Sequence, residues 1–397
     1  MEKIGIYGGA FNPPHTGHVQ AAHYALDALC LDRLLVMPSC VSPHKKAPSG
    51  TPMDAQRLAM TRLAFENTKG VEVSDLELFR GGVSYTVDTL RQLQAQNPQA
   101  QLILCMGTDM FLDFQSWREY ERIVTMAALA VLYRGLPEEQ EKVLAQKKTL
   151  EDLGATVQLV ENPVTRISST DLRRLVSFGC TDAFLPESVA AYIRENKLYG
   201  CGSCFQQLPM EQLEQTVVSL LKPNRVAHVL GCRDTCVALA KKWGANETDA
   251  ARAGLLHDIT KALDGSLQLT LCQAYGTMLS DFSVQNPKTL HALTGSVVAG
   301  HVFGENEAVV SAIRWHTTGK ADMNLLEKIV YVADYMEPNR DFPGVDELRE
   351  MAFRDIDLAL KTGLEMTISM LRQQKREISK ESQEALLWLD ERMNKKC

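Results

Sequence analysis

Histidine is missing from residues 45–227, almost half of a 397-residue chain. The nine histidines fall into two groups: His15, His18, His23 and His44, then His228, His257, His291, His301 and His316. Other absences narrow the class. Neither half carries a basic stripe, and the net charge of −7 is shared almost evenly between them, which argues against a nucleic-acid binder. No apolar run reaches the roughly 18 residues needed to span a bilayer, so no membrane is expected as partner. Met1-Glu2-Lys3 leads straight into apolar sequence, so no signal or transit segment is expected and the chain is expected to be cytoplasmic. The ten cysteines are scattered, with one CxxC at Cys201 and Cys204. A structural zinc needs a second ligand pair nearby, and the sequence offers none, which leaves that pair without an assigned chemistry. Cys30, Cys105, Cys232, Cys236 and Cys272 sit in apolar stretches and are expected to be reduced core residues.

At this length two domains are expected. Short apolar runs at residues 3–7, 34–37, 101–105 and 129–132 alternate with helical patterns at 18–29 and 85–94. That alternation predicts an α/β Rossmann-like domain with a parallel sheet over residues 1–200. Pro186 opens a last amphipathic segment that runs to Tyr199. Glycines and cysteines at 200–204 then break the pattern, and residues 201–210 are read as a linker. Beyond it the strand signal vanishes. Apolar residues recur at helical spacing, as at Leu213, Val217, Leu220 and Leu221, so residues 211–397 are read as an all-α domain.

The stretch GGAFNPPHTGH (residues 8–18) follows the first predicted strand and opens a helix. Free N–H groups and the positive end of the helix dipole make such a terminus a site for phosphate. Gly8 and Gly9 let the main chain approach a ligand closely. His15 and His18, three apart, can face one ligand. The stretch is neither a Walker loop nor a GxGxxG fingerprint. On its own it also fits a plain loop with two exposed histidines. A second element weighs against that: in ISSTDLR (residues 167–173) hydroxyls stand at a helix start and Arg173 can reach an anion. Two such helix termini can clamp a triphosphate. His23 is off the His18 face and is read as a surface residue, and His44 as a loop residue or a substrate contact.

These motifs, with Pro43-His44-Lys45-Lys46, SYTVDTL (84–90), Gly107-Thr108-Asp109, Trp117 and the closing YIRENKLY, resemble the HxGH nucleotidyltransferase superfamily and, within it, the nicotinate-mononucleotide adenylyltransferases. The resemblance covers residues 1–200, with Ala10 and Asn12 at variable positions of the loop. It implies that the phosphate of nicotinate mononucleotide attacks the α-phosphorus of ATP and pyrophosphate leaves, giving deamido-NAD. Positioning and charge stabilisation then carry the reaction. By the same resemblance His18 contacts the α-phosphate. His15, Lys46, Ser169 and Arg173 hold the phosphate tail, bridged by Mg²⁺. Gly8, Gly9, Phe11, Thr86 and Ser168 line the nucleotide site, Asp109 fixes a ribose or the metal-bound nucleotide, and Trp117 stacks on the pyridine ring or is a core residue.

In the second half His228, His257-Asp258, His291, His316 and Asp334 fall on successive helical segments. One histidine on an amphipathic helix is usually structural, but this series is harder to dismiss. Asp258 and Asp334 each sit in an apolar run, where an unpaired carboxylate is costly to bury. A shared metal centre resolves both. The order H…HD…H…H…D resembles the HD-domain phosphohydrolases. RVAH (225–228), AIRWHTTG (312–319) and YVADYMEPNR (331–340) resemble the branch that cleaves diadenosine tetraphosphate symmetrically to two ADP. The likeness spans residues 215–395. It implies two metal ions, with iron favoured among the metals that suit imidazole and carboxylate, Asp258 bridging them, and metal-assisted attack of water on phosphorus. Arg314, Lys261 and Arg340 are candidates for gripping the polyphosphate, or are surface residues. His301 has no place in the pattern and is read as structural.

The expectation is therefore a bifunctional enzyme whose partners are ATP, nicotinate mononucleotide and diadenosine tetraphosphate. Rival readings are a different phosphate acceptor for the first half, and another signalling nucleotide, a deoxynucleotide or a purely sensing role for the second.

Overall fold

Six parallel strands form one sheet in the order β3-β2-β1-β4-β5-β6. They are β1 (Lys3–Gly9), β2 (Arg33–Pro38), β3 (Val71–Val73), β4 (Gln101–Gly107), β5 (Ala128–Tyr133) and β6 (Val157–Glu161). The computed structural model describes residues 1–41, 51–133, 137–161, 167–202 and 205–394. The chain divides into two units, Met1–Ser177 with Thr181–Gly202, and Phe178–Cys180 with Ser203–Cys397.

The four inner strands are the four apolar runs of the sequence. Helices cover both faces of a parallel sheet, so the inner strands read as continuous apolar runs: Ile4, Ile6, Leu34, Val36, Leu102, Leu104, Leu129 and Val131 are buried. The edge strands β3 and β6 escaped the sequence reading for a physical reason. An edge strand is half solvated, and its apolar residues are interrupted by the exposed Glu72 and Gln158. The strand order reverses between β1 and β4. In open α/β sheets the crevice beyond the carboxyl ends of those strands is where ligands bind. Tyr7 pairs with Cys105, so Gly9 and Gly107 end their strands side by side there.

The second unit is helical among the described residues. Its helices start where short polar side chains stop them fraying: Asn246, Asp264, Asn306, Asn324 and Asp355 each accept a bond from a first-turn N–H. Each such cap is worth about 1 kcal/mol. The helix Leu325–Met336 is buried almost all round, with Ile329, Val330, Tyr331, Val332 and Ala333 inside. A helix apolar on every face belongs at the centre of a bundle. Asp334 rides on that central helix. No helix among the described residues is long and apolar enough to cross a membrane. Of the cysteines expected in the core, Cys105, Cys232, Cys236 and Cys272 are buried, whereas Cys30 is exposed at the left-handed C-cap of the helix Thr16–Leu29. Cys201 is a buried free thiol, and Cys204 lies outside the described residues.

Candidate functional sites

In the first unit the loop after β1 is held from outside by four donors from three separate places. Ser39 N–H donates to Gly9 O at 2.9 Å. Arg57 donates through Nη1 to Ala10 O at 2.8 Å, Arg173 through Nη1 to Asn12 O at 2.7 Å, and Ser169 Oγ–H to Pro13 O at 3.2 Å. Carbonyl oxygens repel an incoming phosphate. Here these four are already bound, which leaves the loop fit for an anion. The Asn12 side chain is clasped as well, accepting from the Tyr199 hydroxyl at 2.7 Å and donating to Thr51 Oγ1 at 3.2 Å. The Asn12–Pro13 peptide is cis. Gly9 is tightly packed: a Cβ there would sit 3.2 Å from the ring of Phe11, which would have to give way, whereas at Gly8 the same space is open.

His15 caps the helix Thr16–Leu29, and its backbone N–H donates to His18 Nδ1 at 3.2 Å. His18 thus fills the place that Glu or Gln takes in a capping box. An N–H can only donate, so Nδ1 is the acceptor and the proton of the neutral ring sits on Nε2. Burial, then the charge of the nearby His15, hold the His18 pKa well below the usual 6.5. The two imidazoles lie 3.7 Å apart at their centroids, and the buried Phe11 ring supports His18 at 5.0 Å. Contact between Phe11 and a ligand would therefore fall to its main chain.

The second predicted terminus lies against the first. Ser168 caps the helix Ser169–Ser177, accepting from Asp171 N–H at 3.1 Å, while Ser169 and Arg173 hold the loop as described. Thr86 is the first residue of the helix Thr86–Gln96, and Ser84 just before it accepts from Cys40 N–H at 3.0 Å. Asp109 is exposed in the first turn after β4. Trp117 is half-buried, its ring 5.3 Å from that of Phe114. His23 is exposed, and His44 and Lys46 lie outside the described residues. Sequence reasoning missed Asn12, Arg57 and Tyr199, which together fix the loop. Arg57 is only 4% exposed, and an arginine inside a helix pattern reads as a surface residue until its partners are known.

In the second unit six predicted residues converge. His228 lies on the helix Pro223–Trp243, His257 and Asp258 follow the helix Glu247–Leu256, His291 is in the first turn of Leu290–His301, His316 follows Glu307–Trp315, and Asp334 is on Leu325–Met336. Asp258 is 1% exposed, and its two oxygens face different ways. Oδ2 lies 3.7 Å from His228 Nε2 and 3.6 Å from His257 Nε2, and Oδ1 lies 3.3 Å from His291 Nε2 and 3.9 Å from His316 Nε2. Asp334 Oδ1 joins the first group, 3.2 Å from His228 Nε2 and 3.8 Å from His257 Nε2.

All four rings are fixed from behind. Nδ1 of His257, His291 and His316 donates to the carbonyl three residues earlier, Gly254 at 2.8 Å, Lys288 at 2.8 Å and Ile313 at 2.7 Å. His228 Nδ1 donates instead to the buried Glu337 Oε1 at 3.0 Å. Carbonyls and carboxylates accept, so in each neutral ring the lone pair is left on Nε2, the atom that points inward. This is how metal-ligating histidines are oriented. Burial, then the charge of His257, push the His316 pKa down to about 3. Burial, then Lys261, lower that of His291. Burial pushes Asp334 up, but the bond with His228 and the charges of His257 and Arg340 outweigh it and hold its carboxyl well below the usual range. Neutral imidazoles and ionised carboxylates are what a metal ion requires. Two groups of ligand atoms lie close enough together to hold a metal ion, His228 with His257 and Asp334, and His257 with Asp258 and His316, and the chemistry of this donor set fits such an ion.

Cations ring the cluster. Arg225 bonds Asp258 Oδ2, Arg340 donates to Asp334 Oδ1 at 2.7 Å, and Lys261 Nζ lies 2.8 Å from His291 Nε2. Burial lowers the Lys261 pKa to about 8. Arg314 instead covers the Trp315 ring at 4.7 Å. His301 is exposed and stacks on Tyr275 at 4.9 Å. Glu337 and Arg225 were missed as parts of the site, although both lie inside the motifs RVAH and YVADYMEPNR.

The cytidylyltransferase-like family matches residues 6–175 and the HD domain family residues 225–339. A "probable nicotinate-nucleotide adenylyltransferase" of Gemmatimonas aurantiaca is 35% identical over 198 residues, covering 50% of this chain and 92% of the relative. One of Neisseria meningitidis is 36% identical over 206 residues, covering 50% and 99%. Among solved structures, a "predicted HD superfamily hydrolase involved in NAD metabolism" from Clostridium acetobutylicum is 37% identical over 47% of this chain and 98% of that one, with a TM-score of 0.46. Through its N-terminal half the chain belongs to the nicotinate-nucleotide adenylyltransferase family, and its C-terminal half carries a helical HD domain.

Proposed function

We propose that the chain joins two nucleotide enzymes. The first unit transfers AMP from ATP to nicotinate mononucleotide, giving deamido-NAD and pyrophosphate. The second cleaves diadenosine tetraphosphate symmetrically to two ADP.

For the first unit the reading rests on the loop at the strand switch point, where His18 is held neutral with its proton on Nε2. An oxygen of the mononucleotide phosphate bonds to the α-phosphorus of ATP, and the bond from that phosphorus to the bridging oxygen of pyrophosphate breaks. No proton has to move to a protein base, because the attacking phosphate is already ionised. The chain supplies position and donors: His18 through Nε2–H at the α-phosphate, and the two helix termini at the phosphate tail, with the triphosphate bringing its Mg²⁺. Asp109 and Trp117 are assigned to ribose and pyridine, and Lys46 to the tail.

For the second unit the reading rests on Asp258, whose two oxygens each face a pair of oriented imidazoles. We assign His228, His257, Asp258 and Asp334 to one ion and Asp258, His291 and His316 to the other, and we take both to be iron. Bound there, two such ions supply Lewis acidity at phosphorus and a deprotonated water. The chain orients the rings through Nδ1 and keeps Lys261 and Arg340 beside the cluster, where a polyphosphate can meet them. Substrate-derived ADP is the expected sole nucleotide product.

One preparation of the full-length protein tests both readings. With ATP and nicotinate mononucleotide it should form deamido-NAD and pyrophosphate, with diadenosine tetraphosphate it should form ADP alone, and it should carry iron. Turnover with another phosphate acceptor but not this one removes the first assignment. Formation of ATP and AMP, or hydrolysis that survives full metal removal, removes the second.

A further inference from the structure

Arg225 hydrogen-bonds one oxygen of the Asp258 carboxylate, and Lys261 pairs with the other at 3.7 Å. Arg225 stands one helical turn before His228, and its Nη2 bonds Asp258 Oδ2, the oxygen that also faces His228 and His257. Its side chain is 27% exposed while Asp258 is 1% exposed, so the guanidinium reaches from the surface down to a buried ligand. Its Nε is buried and has no hydrogen-bond partner. Structural arginines elsewhere in the chain are bonded more fully. Arg252 places Nε and Nη2 on Glu305 and Nη1 on Leu208 O, and Arg349 places its donors on Asp346 and three carbonyls. Arg225 thus carries donors that its present partner does not use.

That partner is also one a metal ion would compete for. A divalent ion held by His228, His257, Asp258 and Asp334 would compete for that carboxylate, and the like charges of ion and guanidinium would repel. The Arg225 backbone is fixed in the helix, so the freed side chain stays beside the site. Arginine presents a planar fork that matches phosphate oxygens, which a lysine does not. With three cations and two divalent ions around two carboxylates and Glu337, the loaded site is strongly positive, which favours a chain of several phosphates over a monoester.

We propose that Arg225 is a phosphate-binding residue of the HD-domain site, which gives up Asp258 as divalent ions load and grips the oligophosphate chain of the substrate. The proposal rests on reading this half as a metal-dependent phosphohydrolase. It is tested by binding, without turnover, on the full-length chain. Manganese and then inorganic triphosphate are titrated, and the part of each signal lost in Asp258→Ala is taken as that of the HD site. Arg225→Ala should hold manganese at least as tightly as the unaltered protein, while its triphosphate affinity falls about tenfold or more, the size expected for loss of a charge-assisted contact. Arg225→Lys keeps the charge without the fork and should fall between, and it decides alone if Arg225→Ala does not fold. Unchanged triphosphate affinity overturns the proposal. So does a parallel loss of manganese and triphosphate affinity, which would make Arg225 a support for Asp258. Failure of the protein to cleave diadenosine tetraphosphate appears in the product assay and leaves these binding results to be judged separately.

Discussion

Glu337→Gln separates the orientation of a metal ligand from the ligand itself. Glu337 is 1% exposed, and its two oxygens have different duties. Oε1 accepts from His228 Nδ1 at 3.0 Å, while Oε2 accepts from Asn339 N–H and Nδ2–H, both at 2.8 Å. Glutamine has the same shape but one acceptor oxygen. If that oxygen serves His228, the new NH₂ group faces two donors of Asn339. If it serves Asn339, the NH₂ group faces the Nδ1–H of His228 and drives the ring to the wrong tautomer, which takes the lone pair from Nε2. Loss of an outer partner of this kind lowers metal affinity about 10–100-fold, roughly 1.4–2.7 kcal/mol. Gly231→Ala gives a second approach to the same group. A Cβ at 231 would lie 2.5 Å from Glu337 Oε2 and 3.0 Å from Asn339 Nδ2, so the carboxylate has to shift while its charge remains. Both variants should lose metal to a competing chelator at lower chelator concentration than the unaltered protein, measured by metal content after dialysis. Adenylyl transfer by the first unit is the internal control and should be unchanged. Metal retention equal to that of the unaltered protein in Glu337→Gln would refute the argument, because the bond to His228 Nδ1 would then contribute nothing.

Asp258→Ala should abolish metal binding and diadenosine tetraphosphate hydrolysis while deamido-NAD formation continues, with product analysis as the check; hydrolysis at an undiminished rate would exclude a bridging carboxylate. Tyr199→Phe removes one hydrogen bond to Asn12 and should cost about 1 kcal/mol, seen as a several-fold rise in KM for ATP with kcat little changed, whereas an unaltered KM would show that the loop holds its shape without the hydroxyl. The pH profile of adenylyl transfer should show no limb from His18 near pH 6.5. Burial and His15 lower the His18 pKa, so the neutral donor form persists as pH falls through the usual histidine range and is lost only well below it. A limb in kcat/KM near pH 6.5 that disappears in His18→Gln would contradict this.

The sequence was informative where one residue type has to do one job. Buried parallel strands need unbroken apolar runs, so β1, β2, β4 and β5 stood out, while β3 and β6 were hidden by half-solvated positions such as Glu72 and Gln158. Candidate metal ligands come from few residue types, so His228, His257, Asp258, His291, His316 and Asp334, which the fold brings together, could be picked out before any geometry was known. Supporting residues have no such restriction. Asn12 looked like a variable loop position, yet it joins Tyr199, Thr51 and Arg173 across as many as 187 residues of chain. A contact of that sequence separation leaves no periodic trace. Glu337 and Arg225, like Asn12 and Tyr199, each lie inside a recognised motif, but only the fold tells which of a motif's polar residues turns toward the site.

The two histidine groups differ in a way that spacing alone does not record. His18 receives an N–H at Nδ1, from the backbone of His15, so the neutral ring carries its proton on Nε2 and presents a donor. His257, His291 and His316 give their Nδ1 proton to a carbonyl three residues back, and His228 gives its own to Glu337, so each neutral ring presents a lone pair on Nε2. A donor meets an anion, and a lone pair meets a cation. The polarity of the group behind each ring therefore suits His18 to an anion and the other four to a cation. Local backbone geometry explains how this is arranged. His18 is at the third position of a helix, where it reaches back to the unsatisfied N–H of the cap. His257 and His316 sit just past the last turn of their helices, where carbonyls lack intrahelical partners, and His291 reaches back to a carbonyl just before its own helix begins. In both units the end of a helix supplies the group that decides what the imidazole can bind.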